Sequence, residues 1–87
     1  MHSATLEVTV TGIPLWLLQE YVQELGGRPE LGGWLYGDGW RVRLTPIEDY
    51  QIGSLCVGRV HLELEGHIGR IQQIHTLLQK KLLRAGG

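Results

Sequence analysis

Arg41, Arg43, Arg59 and His61 are the side chains whose types and spacing come nearest to a binding site. Arg41 and Arg43 alternate with apolar residues in Trp40-Arg41-Val42-Arg43-Leu44-Thr45, and Arg59 and His61 alternate with Val60 and Leu62. In extended backbone such alternation puts the members of each pair on one face of a strand. Guanidinium forks match carboxylate and phosphate geometry, so neighbouring strands would converge these groups on an anionic ligand. The same alternation places Glu7, Glu63 and Glu65 on that face. Cross-strand pairing between the cations and these carboxylates explains the pattern without a ligand, and the near balance of charge favours it.

Other chemistries find less support. The histidines, His2, His61, His67 and His75, contain no i, i+4 pair, and no carboxylate recurs with them in a metal-ligand pattern, so no metal is expected. His75 reads as a packed histidine at the border of a helix core stripe. Cys56 is the one cysteine, which excludes an internal disulfide and a cysteine-rich zinc site. It falls in an apolar strand segment and is expected to be buried and inert. Ser54 lacks the elbow motif of a hydrolase nucleophile, and the glycine clusters form no phosphate loop. No catalytic residue and no cofactor can be named, and the pattern points away from an enzyme.

With 87 residues the chain has room for one domain, 1–87, with one small core. Apolar residues make up 43% and charged residues 20%, which fits a globular protein and not a disordered one. Eight Lys and Arg against nine Asp and Glu leave a net charge of −1, whereas a phosphate-binding surface calls for a basic surplus, so nucleic acid is not an expected partner. No run approaches the roughly 18 apolar residues of a membrane helix, and Met1-His2-Ser3-Ala4-Thr5 does not open a signal peptide. A soluble protein of the reducing cytoplasm is expected.

The elements that must hold these residues are marked by periodicity and punctuation. Thr5–Thr11 alternates with period two, placing Leu6, Val8 and Val10 on one strand face, and Gly12 ends it. Ile13-Pro14 opens a helix that Gly26-Gly27 closes, with Leu18, Val22 and Leu25 at its apolar centre and Leu15, Leu17 and Tyr21 beside them. Residues 26–33 read as a turn-rich connector. Trp34-Leu35-Tyr36 and Trp40–Thr45 flank Gly37-Asp38-Gly39, a tight-hairpin signal, and Trp40, Val42 and Leu44 are expected to face the core. Pro46 is expected to stop that strand, leaving Tyr50-Gln51-Ile52 as a short extra strand or an ordered loop. From Leu55 to Glu65 alternation returns, with Val60, Leu62 and Leu64 inward and Gly58 marking a bulge. After Gly66 a last helix presents Ile68, Ile71, Ile74, Leu78 and Leu82, with Lys80, Lys81 and Arg84 near its end. The order β-α-β-β-β(β)-α is α+β. It predicts a mostly antiparallel sheet with two helices on one face, since each helix has a single apolar stripe.

Trp16 projects from the polar side of the first helix near Glu20 and Gln23, and Leu77 and Leu83 fall off the stripe of the last one. Large rigid rings are favoured at interfaces. These residues predict a homo-oligomer or a partner laid against the helices; the competing reading folds Trp16 back onto the 28–33 connector.

Two features resemble known families. The ending Leu83-Arg84-Ala85-Gly86-Gly87 is similar to the Gly-Gly tail that ubiquitin-like sulfur carriers use for adenylation and thiocarboxylate formation, although the element order differs from their ββαββ core. A helix cap with a frayed end accounts equally for these glycines. Pro14-Leu15-Trp16-Leu17-Leu18, Tyr21, Gly26-Gly27, Gly53-Ser54-Leu55 and the strand ending Glu65-Gly66 resemble a domain of unknown function in thermophilic bacteria, found C-terminal to a MoaD-like, ubiquitin-like domain. The likeness runs from about Leu6 to Gly66 and is poorest in the last helix. It implies a TBP-like β-α-β(4)-α arrangement and a place beside a MoaD-like partner in sulfur-carrier or molybdopterin metabolism, and it carries no active site with it. The expected function is a non-enzymatic interaction or ligand-binding module. The alternative is an enzyme or accessory domain that binds an anionic small molecule on the open sheet face.

Overall fold

The computed structural model describes residues 3–86, with side chains as far as Leu83. His2, Gly87 and the side chain of Arg84 lie outside the described residues, and with them the chemistry expected of the Gly86-Gly87 tail. The elements are β1 (Ser3–Thr11), α1 (Leu15–Glu24), β2 (Arg28–Pro29), β3 (Trp34–Gly37), β4 (Trp40–Ile52), β5 (Leu55–His67) and α2 (Ile68–Gly86). The strands form one five-stranded antiparallel sheet in the order β1-β5-β4-β3-β2.

Period-two alternation sends Val10, Leu35, Trp40, Val42, Leu44, Val60, Leu62 and Leu64 to one face of the sheet, where they form a single core with Leu18 and Val22 of α1 and Ile71, Ile74 and Leu78 of α2. Val42, Leu62 and Leu64 are fully buried because they lie on the inner strands under both helices. The expected α+β class and the inward sets of β4 and β5 are therefore present. Val8 is more exposed than its alternation predicts, because β1 is an edge strand and α2 covers it incompletely. Ile68, expected in the α2 stripe, is 49% exposed, since it is the first residue of the helix and sits at the turn out of β5.

The helix boundaries follow the punctuation. Pro14 is the N-cap residue, and its carbonyl accepts from the Leu18 amide at 3.1 Å. Gly26 follows the C-cap Leu25 with φ +105°, a conformation glycine adopts without a Cβ penalty. The Gly27 amide donates to the Val22 carbonyl at 2.9 Å and the Gly26 amide to that of Gln23 at 3.0 Å, the paired bonds of a Schellman cap. Lys81 on α2 reaches Glu24 at 2.6 Å and ties the two helices together.

Three local expectations need correction. Pro46 does not stop its strand: β4 continues to Ile52, because β3 pairs only with Trp40–Arg43 and leaves β4 a free edge, where a missing N–H is tolerated. Tyr50-Gln51-Ile52 is thus the far end of β4, pairing with Leu55-Cys56-Val57. Cys56 is exposed and not buried, since this far end lies beyond the reach of β1. The connector after α1 also holds a two-residue strand, β2, paired with β3. The bulge does occur at Gly58, with the extra residue on the facing strand: the register steps from Ile47–Arg59 to Tyr50–Val57, so Glu48 and Asp49 together face Gly58.

Gly66 occupies a site only glycine fits. It pairs with Ala4 on one side and Trp40 on the other at φ +151°, and a Cβ there would strike the Gly39 carbonyl oxygen. Gly66→Ala is expected to lower unfolding free energy by about 2 kcal/mol or more. Gly58→Ala, where an added Cβ meets nothing within 4 Å, should stay within about 0.5 kcal/mol of wild type in the same urea titration.

Candidate functional site

The sheet face away from the helices is built as cross-strand rows. One row runs Thr5, Glu65, Arg41, Tyr36 and the next Glu7, Glu63, Arg43, Trp34, from β1 through β5 and β4 to β3. Arg41 stands directly opposite Glu65 and donates to Oε1 through Nε at 2.9 Å and Nη2 at 2.6 Å. Arg43 does the same to Glu63, at 3.0 and 2.8 Å. Glu7 and Glu63 are direct cross-strand neighbours, a like-charge placement that costs stability unless each finds a polar or cationic partner. Glu63 turns to Arg43, and Glu7 reaches Nε2 of His61 at 3.1 Å.

The Trp34 ring lies beneath both guanidiniums, 3.9 Å from Arg41 and 4.9 Å from Arg43 at its centroid, which adds a cation–π contact to each ion pair. The hydrogen bond to Glu65 holds the Arg41 guanidinium above its ordinary pKa, the Tyr36 hydroxyl adds to this, and partial desolvation opposes it. Arg59 is turned elsewhere: its Nε donates to the Glu48 carbonyl in the bulge at 2.8 Å, and its guanidinium lies 6.0 Å from the Tyr50 ring. Arg41, Arg43 and His61 are therefore grouped with carboxylates in hand, and Arg59 serves the bulge.

A depression of about 490 Å³ opens at the Arg41 end of the face, lined by Tyr36, Gly37, Gly39, Arg41, Glu65 and Gly66 among others. On the helix side an apolar cleft of about 290 Å³ lies between β1 and α2, with Val8, Val10, His75, Leu78 and Leu82 in its walls. Among the described residues no group of three His, Cys, Asp or Glu side chains is arranged to hold a metal.

On the helices, Trp16 is 64% and Leu83 75% exposed, so the 28–33 connector does not cover the indole. Glu20 and Leu77 are exposed as well. Sequence reasoning missed a further apolar surface, formed by Ile47, Tyr50, Ile52 and Leu55 at the distal end of β4 and β5. The signal was available: Tyr50–Gly58 contains no charged residue.

Fold and face together define a small α+β domain whose open sheet face is cross-linked by ion pairs. A family model described as archaeal MoaD-like protein matches residues 6–87, and the chain belongs to that family. No curated protein matches it. Among the described residues no helix is long and apolar enough to cross a membrane.

Half-exposed pairs of this kind each contribute little. A double-mutant cycle on Arg43→Ala and Glu63→Ala, followed by denaturant unfolding, is expected to give a coupling of about 0.5 kcal/mol that shrinks as salt is raised toward about 1 M.

Proposed function

We propose that this chain is a non-enzymatic interaction module that works in the cytoplasm as a homo-oligomer beside a MoaD-like protein, in sulfur-carrier or molybdopterin metabolism. Family membership supports the pathway. The carrying observation for an interaction role is the division of the surface. The charged face is satisfied within the chain by Arg41–Glu65, Arg43–Glu63 and His61–Glu7, while Trp16 and Leu83 stand uncovered on the helices. The element order, with β2 to β5 as a four-strand run between the helices, supports the TBP-like arrangement.

In this reading Trp16, Glu20, Leu77 and Leu83 form the face that takes the MoaD-like partner, with the indole as its anchor. Native mass spectrometry and titration calorimetry with a MoaD-like protein from the same cells test it. A complex that Trp16→Ala weakens by about tenfold or more is expected. A complex indifferent to Trp16→Ala overturns the helix-side face, and no complex at all overturns the partner.

The second reading, the anionic ligand expected at Arg41, Arg43, Arg59 and His61 on the open sheet face, draws on the depression beside Arg41, which the other three do not line. A ligand there must displace Glu65 from Arg41, or bind across the existing pair. If it is correct, one member of a panel of phosphorylated and carboxylated metabolites raises the thermal midpoint, and Arg41→Ala abolishes the rise. A flat response across the panel removes this reading.

A further inference from the structure

Beyond Ile47 and Arg59 the β4–β5 pair leaves the body of the sheet. β1 pairs with β5 only as far as Arg59, and β3 with β4 only as far as Arg43, so among the described residues no strand flanks this ribbon on either edge. The ribbon lies in a molecule 48 Å long but 27 by 21 Å across. Its pairs alternate: Tyr50–Val57 and Ile52–Leu55 carry side chains to one face, and Gln51–Cys56 to the other. The bulge moves β4 out of phase by one residue, so the apolar face follows Ile47 and Arg59 onto the open side of the sheet, where neither helix can cover it.

Exposure on that face is 51% at Tyr50, 58% at Ile52, 65% at Leu55 and 37% at Ile47. A two-stranded ribbon is marginal in water when nothing packs on it. A neutral, proline-free strip of β-formers is also the composition that pairs with other chains unless it is covered.

We propose that a second copy of this chain provides the cover, the two ribbons stacking apolar face to apolar face about a two-fold axis, with Ile52 and Leu55 of one copy over Tyr50 and Val57 of the other. The surface that fits here must itself be apolar over two rows of side chains, no wider than a ribbon and charged only at its rim, and this ribbon meets each condition, with Arg59 at the rim beside the Tyr50 ring. A two-fold axis needs only such a self-matching patch. At these exposures Tyr50, Ile52, Leu55 and Ile47 together leave on the order of 400 Å² of accessible surface on each face, the size of a typical functional patch. Two such faces bring the total buried area to roughly 800–1,000 Å², at the lower bound for a specific interface. Within Tyr50–Gly58 there is no charge to strip of water, whereas a charged partner surface would leave its own groups unpaired against the strip. This inference rests on the homo-oligomer proposed above and assigns its contact surface, leaving the helix side for the MoaD-like partner.

Sedimentation velocity of the full chain from about 1 to about 500 μM tests the proposal. Wild type is expected to dimerise with rising concentration. The double variant Ile52→Glu, Leu55→Glu is expected to weaken the dimer by about 100-fold or more while keeping the wild-type thermal midpoint at monomeric concentration, because both side chains are already exposed. Should that variant fail to fold, Leu55→Asn serves in its place and is expected to weaken the dimer by about tenfold. A spin label on the single Cys56 gives an independent readout. Stacked ribbons bring the two labels within about 40 Å, given the roughly 10 Å spacing of packed sheets. A wild-type chain that stays monomeric throughout, or a dimer untouched by the variants, overturns the proposal. A dimer untouched by the variants would overturn this inference alone, a strictly monomeric wild type would overturn the homo-oligomer with it, and a ribbon dimer that binds no MoaD-like protein would overturn the partner reading alone.

Discussion

The long antiparallel ladder between β4 and β5 is the constraint on which everything else in this molecule depends. Each strand has 13 residues, longer than any other strand of the sheet, and β5 sits between β1 and β4. Once Leu44 is set against Leu62 and Val42 against Leu64, period-two alternation fixes every other side chain of the body. Valines and leucines go to the helices, and Arg41, Arg43, Glu63 and Glu65 go to the open face. A slip of β4 by one residue would turn Arg41 and Arg43 into the core, and a slip of β5 would do the same to Glu63 and Glu65, so the register is strongly determined. The same ladder then outruns its neighbours and, after the bulge at Glu48 and Asp49, carries an apolar face into the open.

This explains why the charged face looks like a binding site in one strand and like a closed network across several. Arginines at spacing two and carboxylates at spacing two fall into register, and each cation meets a carboxylate directly opposite. Trp34 beneath the guanidiniums holds them in place and shields one side from water. A pocket for an anion requires unspent positive charge, and Arg41 and Arg43 are each paired with a carboxylate within the chain, while the His61 ring is hydrogen-bonded to Glu7.

Much of this was legible in the residues. The alternation of Val60, Leu62 and Leu64 against Arg59, His61, Glu63 and Glu65 is a local pattern with one dominant cause, burial of one face, and it gave the correct inward set. The Pro14 opening and the Gly26-Gly27 closing are equally local and fixed α1 to within a residue or two. The failures arose where a residue's meaning depends on which strand lies beside it. Pro46 stops a strand only if its amide is needed, and the short β3 removes that need. Cys56 in an apolar run is buried only if something covers the run, and β1 pairs with β5 only as far as Arg59, so Cys56 is left exposed. Pairings such as Arg41–Glu65 span 24 residues and could be offered as an alternative but not chosen before the register was known.

The surface therefore divides in two: ion pairs that stabilise the chain internally, and exposed apolar areas to which the proposed contacts with other molecules are assigned. Salt separates these roles, because it screens charge-driven association and leaves apolar contact unchanged or stronger. The most direct measurement is the dissociation constant of the chain's own assembly, by sedimentation equilibrium, at about 0.05 M and about 1 M sodium chloride. The account predicts a constant that is unchanged or tighter at high salt. A loss of affinity of about tenfold or more would place the charged sheet face in the contact and contradict it.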